Sequence, residues 1–218
     1  MRSLPLPVTL AVRLLPVGVL ACVGWAWSSG PMSEPAAKDT HDAAPQTSSA
    51  PSSPSASVAA KSYAKPPEPC GTVDAKTVSS LVPGAKTAGK ELAATDESVR
   101  RGCSWSALKG YDYRWLDVSF EVKGSDALAQ QAYKDNSDAK ASPLKGLGDE
   151  ARVTSALTTK DKQDTRESVV TVRKGNVLVT VTYNGSDFES KGAPANDTVI
   201  KGARKAAGDA VAGLGSAG

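Results

Sequence analysis

Apolar and polar positions change rhythm several times along this chain, and each rhythm points to an element. In "CSWSALKGYDYRWLDVSFEV", Cys103, Trp105 and Ala107 alternate with polar residues before the turn "LKGYD", and Leu116, Val118, Phe120 and Val122 alternate after it. A period of two puts each set on one side of a pleated strand and leaves Tyr113 and Trp115 on the other, so a pair of strands is predicted. The alternation returns at Ala151, Val153, Ser155 and Leu157, predicting a third strand. The clearest pattern is "RESVVTVRKGNVLVTVTY": two β-branched runs joined through "KGN", where Gly175 and Asn176 adopt positive φ at low cost, predict a hairpin.

Elsewhere the period is helical. "VDAKTVSSLVPG" gathers Val78, Leu81 and Val82 on one face, with Asp74 as a cap and Pro83-Gly84 as a stop. "SDALAQQAYKDN" predicts a second helix that pairs Leu128 with Ala132. "NDTVIKGARKAAGDAVAGL" predicts a third, capped by Asn196 or Asp197, with Val199, Ala203, Ala206, Ala210 and Leu214 on one face, where small alanines let a helix lie close to a sheet. The order α-β-β-α-β-β-β-α is an α+β pattern: an antiparallel sheet of about five strands with helices packed on one face, built by residues 68–218.

The upstream residues have neither period. Residues 1–27 carry Arg2 and Arg13 without an acidic residue, then the apolar run "LLPVGVLA", which is export-signal architecture. "VLAC", Val19 to Cys22, resembles the bacterial lipoprotein signal, in which a cysteine after a small residue becomes the lipid-bearing N-terminus; the resemblance implies lipidation at Cys22. Leu20 and the apolar "VGWAW" that follows depart from that pattern, so an uncleaved membrane anchor and plain secretion stay open beside lipidation. All three place the domain on the extracytoplasmic face of the cell membrane, or free outside it. Residues 28–67 are rich in proline, serine and alanine and have too little apolar surface to offset the entropy of folding, so they read as a disordered linker. Such a stalk would reach roughly 35 Å as a flexible coil and about 120 Å when proline-extended.

Composition narrows the chemistry. The 218 residues carry a formal charge of +3 with both signs interspersed, so no nucleic-acid footprint is present. Besides Cys22 there are two cysteines, Cys70 and Cys103, and in an oxidising compartment such a pair becomes a disulfide, stabilising the fold by about 3.5–4 kcal/mol through loop closure. There is no C-x-x-C pair, and the single histidine, His41, lies in the linker, so neither a metal site nor a cofactor is expected. A globular part without histidine cannot build Ser-His-Asp or Cys-His catalysis, and neither a G-x-S-x-G elbow nor a complete Walker loop replaces it.

Two features remain as candidate sites. In "GLGDEA", Gly146 and Gly148 precede Asp149 and Glu150; the loop either presents carboxylates to a ligand or makes a turn whose aspartate bonds nearby backbone. Adjacent carboxylates in an extended segment point to opposite faces, which argues against a paired acid and base. Around the first hairpin, Trp105, Tyr111, Tyr113 and Trp115 are available either to stack on sugar rings or to fill the core.

Taken together, "PCGTVDAKTVSSLVPG", "CSW", "GLGDEA", "VTVRKGNVLVTV" and the closing alanine-rich helix resemble, in the same order, actinobacterial cell-envelope lipoproteins bearing a domain of unknown function. That resemblance covers residues 69–214. It implies an exported, surface-tethered domain of the class related to the photosystem accessory protein and nuclear-transport-factor sandwiches, and brings no catalytic residue with it. The expectation is a non-catalytic, membrane-tethered domain that binds an envelope protein or glycan. A carboxylate-dependent envelope enzyme is the alternative, and a purely structural or assembly role the third.

Overall fold

The computed structural model describes residues 63–215, and the expectations placed on residues 1–62, including Cys22, lie outside them. The fold is α+β. Its sheet has seven antiparallel strands: β1 (Lys90–Leu92), β2 (Arg100–Lys109), β3 (Asp112–Val122), β4 (Ser142–Pro143), β5 (Glu150–Lys160), β6 (Gln163–Lys174) and β7 (Val177–Asp187). Their spatial order is β1-β2-β3-β7-β6-β5-β4. The five long strands match the five alternating patterns. The two additions, β1 and β4, are edge pieces of three and two residues, too short to establish a period.

Three α-helices accompany the sheet: α1 (Ala75–Leu81), α2 (Asp126–Asp135) and α3 (Asn196–Gly215). Asp74 caps α1 by accepting a hydrogen bond from the Lys76 N–H at 2.7 Å. Helix α3 buries the predicted face, with Val199, Ala203, Ala206 and Ala210 fully enclosed and Leu214 at 1% exposure. It lies against β5, β6 and β7. Gly202 permits the close approach, since a Cβ there would stand 2.7 Å from the Tyr183 ring. Asn196, expected as a cap, accepts a 2.6 Å hydrogen bond from Ser155 and so ties the first turn of α3 to β5.

One helix departs from the expected single layer. Arg152 alternates with the core residues Ala151 and Val153, so its side chain is on the face away from α3. Its guanidinium donates to the carbonyls of Tyr133 at 2.6 Å and Asn136 at 3.1 Å, which places α2 on that second face. The apolar pattern of α2 misled for the same reason. Leu128 is 57% exposed while Ala129 is fully buried, because the helix turns its Ala129 side toward β6 and β7.

The core is the α3 face of the sheet: Trp105, Leu116, Val118, Phe120, Val170, Val172, Val179 and Val181, closed by α3 and by Val78 and Val82. Cys70 and Cys103 form a disulfide with Cα atoms 5.1 Å apart, joining a 3-10 turn (Pro69–Gly71) to β2. The proline-rich tract ends inside the fold. Pro66 and Pro67 are buried, and Tyr63 pairs its N–H and C=O with the Asn176 side chain at 2.8 and 3.0 Å.

Candidate functional site

The "GLGDEA" loop is occupied with holding the sheet together. Gly146 and Gly148 have φ of +79° and +56°, so both use the left-handed region. Asp149 accepts from the Gly175 N–H at 2.7 Å and from Arg173 Nη1 at 3.1 Å, while Glu150 accepts from Arg173 Nε at 2.7 Å. The two adjacent carboxylates therefore converge on one guanidinium instead of pointing to opposite faces. The alternation argument does not reach Asp149, which precedes β5 and follows a glycine at positive φ. Its partners belong to the β6–β7 hairpin, so the backbone it bonds lies 26 residues away and is not the nearby backbone that the turn reading expected. Among the described residues no group of three His, Cys, Asp or Glu side chains is arranged to hold a metal ion.

Asn176 is the residue whose role sequence reasoning missed. Only Gly175 of the "GN" turn has positive φ, at +55°. Asn176 is fully buried, and its amide serves the carbonyls of Tyr63 and Lys123 and the N–H of Tyr63. A buried polar side chain at a turn is the one signal that a distant segment docks there.

The aromatic residues divide. Trp105 is 2% exposed and donates to the Thr87 carbonyl at 2.9 Å, so it belongs to the core. Tyr111, Trp115 and Phe188 stay in water at 59%, 38% and 41% exposure. Trp115 is fixed in place, its Nε1–H shared between Ser104 Oγ at 2.8 Å and Asp117 Oδ1 at 2.7 Å. Tyr113 lies two residues before it on the same face, and its ring centroid is 6.1 Å from that of Phe188. Across the strands the register aligns Ser106, Trp115, Asn184 and Glu167 in one row on the face away from α3. Helix α2 lies against β6 and β7 on this face and is bonded to Arg152 of β5.

Strand β7 joins two unlike poles. Asn176, which precedes it, holds Tyr63, where the proline-rich tract joins the fold. Phe188, which follows it, donates its N–H to the Tyr111 carbonyl at 2.9 Å, within the exposed aromatic group. Eleven residues lie between the two, and the twelve steps come to about 40 Å at strand rise. Two hollows of about 520 Å³ each flank β1, one lined by Leu92, Val99, Gly102 and Ser119, the other by Gly89, Lys90, Ser104 and Ser106. The second opens beside the Trp115 row.

No protein-family model matches the chain, and no curated protein does. A crystal structure of a protein from Bacteroides thetaiotaomicron is similar at 12% identity and a TM-score of 0.32, over 54% of this chain and 47% of that one. The chain thus spans about half the length of that structure.

Proposed function

We propose that the chain is a non-catalytic binding domain tethered at the extracytoplasmic face of the cell membrane, holding an envelope component through the pole farthest from its tether. The observation that carries this reading is the polarity of β7, with Tyr63 docked at one end and exposed Tyr111 and Phe188 at the other. A domain carried on a proline-rich stalk meets its ligand best at the pole facing away from the attachment point. The Cys70–Cys103 disulfide supports an oxidising compartment. The resemblance to actinobacterial envelope lipoproteins supports the same placement, with Cys22 as the lipid-bearing residue and the apolar segment before it as the signal.

The test begins with the membrane fraction of cells making the full-length chain. Mass spectrometry finds a diacylglyceryl group on Cys22, and Cys22→Ala releases the domain into the medium. Unchanged membrane retention of Cys22→Ala replaces lipid with an uncleaved anchor. A domain found inside the cell with Cys70 and Cys103 reduced overturns the reading.

A further inference from the structure

We infer that the row of Trp115, Tyr113 and Phe188 is a stacking platform for a neutral polysaccharide chain laid across the open face of the sheet. The inference rests on the proposed extracytoplasmic placement only for where such a polymer would be met; the chemistry comes from the face itself.

A lone exposed aromatic needs no explanation, because much of any protein surface is apolar. Trp115 is neither alone nor loose. Its indole is held by Ser104 and Asp117 at 2.8 and 2.7 Å, although 38% of the residue remains in water. Tyr113 follows at about 7 Å along the same strand face, and the Phe188 ring centroid is 6.1 Å from that of Tyr113, with the two planes tilted by 36°. An indole held in this way offers apolar ring area at little further entropic cost, since its ordering is already done on folding. The C–H face of a pyranose matches such area.

The neighbours of Trp115 supply the polar half of the match. Ser106 flanks it in register on one side, and Glu167 lies on the other beyond the buried Asn184, so that a hydroxyl and a carboxylate are offered to sugar hydroxyls. Charge then selects among polymers. Glu167 puts a carboxylate in the row and Asp117 another one register step away, whereas Arg114 and Arg166 alternate onto the opposite face of the sheet. A phosphate- or uronate-rich chain would meet like charge here, and a neutral one would not. The platform is open and runs toward the hollow at Ser104 and Ser106, so it suits a polymer crossing the surface, not a chain end held in a pocket.

The experiment is affinity electrophoresis of the detergent-solubilised full-length chain through gels cast with a soluble neutral glucan, mannan or galactan, with polygalacturonate as the anionic probe. At least one neutral polymer retards the chain. Trp115→Ala weakens that retardation on the order of tenfold or more, and Trp115→Phe restores part of it. Leu128→Ala, on exposed α2, leaves it unchanged. Because Trp115→Ala also removes the bonds to Ser104 and Asp117, Tyr113→Ala is the second variant and weakens retardation without touching them. Retardation by polygalacturonate alone, by none of the neutral polymers, or undiminished in either Trp115→Ala or Tyr113→Ala overturns the inference. A protein captured by a photocrosslinker at position 115 that no neutral polymer displaces also overturns it, and would leave the tethered-binding reading standing.

Discussion

Gly148 shows how much one backbone position carries. Its φ of +56° is strained for any L side chain, and an added Cβ would stand 2.5 Å from both the Arg173 carbonyl and a Val172 methyl. Gly146 shares the positive φ, at +79°, yet nothing lies within 4 Å of its Cβ position. The pair separates conformational strain from steric conflict. Gly146→Ala should cost about 1 kcal/mol, the price of the left-handed conformation alone, and Gly148→Ala about 2–4 kcal/mol because backbone and core must also move. Urea denaturation of both variants checks this; equal losses would mean that the Arg173 contact relaxes freely. The glycines and carboxylates of this loop were legible in the sequence as a turn. Their partners were not, because Arg173 and Gly175 reach them only through the β5–β6 register, which pairs Glu150 with Arg173.

Elements with many residues in phase were readable in advance, and those decided by a partner were not. Strands β2, β3, β6 and β7 alternate through their cores, and the buried face of α3 repeats every third or fourth residue, so local pattern and burial agree. Strand β1 pairs with β2 over only three residues, and α2 is positioned by Arg152, whose guanidinium stands 3.9 Å over the Tyr133 ring. No pattern internal to either segment carries that information. The disulfide was legible from the cysteine pair taken with the export signal, and its consequence belongs to this scale. It fastens the turn before α1 to β2 across 33 residues. Cys70→Ala/Cys103→Ala should lose about 3–4 kcal/mol, and the unsubstituted chain under reductant should fall to within about 1 kcal/mol of that variant. Urea titrations with and without dithiothreitol decide it: a chain equally stable in both would have no bond to break.

For the molecule as a whole, three exposed carboxylates contribute to the loss of stability in acid. The Glu91 carboxyl is held below its usual range by the Arg101 guanidinium, Asp96 by the hydroxyl and N–H of Ser98, and Asp187 by the N–H and hydroxyl of Ser190. A folded-state pKa below the unfolded value gives stability that is present above the unfolded pKa and lost as pH falls through the folded one. The thermal midpoint should therefore stay nearly level from pH 7 to about 5 and decline below about 4. A midpoint that falls between pH 7 and 5 would contradict this. Burial acts the other way on Tyr183: desolvation raises its pKa, and the neutral hydroxyl donates to the Leu81 carbonyl at 2.8 Å, joining the sheet to the end of α1.

The placement of Tyr63 at one end of β7 and of the aromatic group at the other has a mechanical result. A pull between those poles runs along the strands, at right angles to the backbone hydrogen bonds of the central β3–β7 pair. Those bonds then share the load in shear instead of opening one by one, while the covalent link at Cys103 passes part of the force directly into β2. An anchor for something under tension would be built this way round.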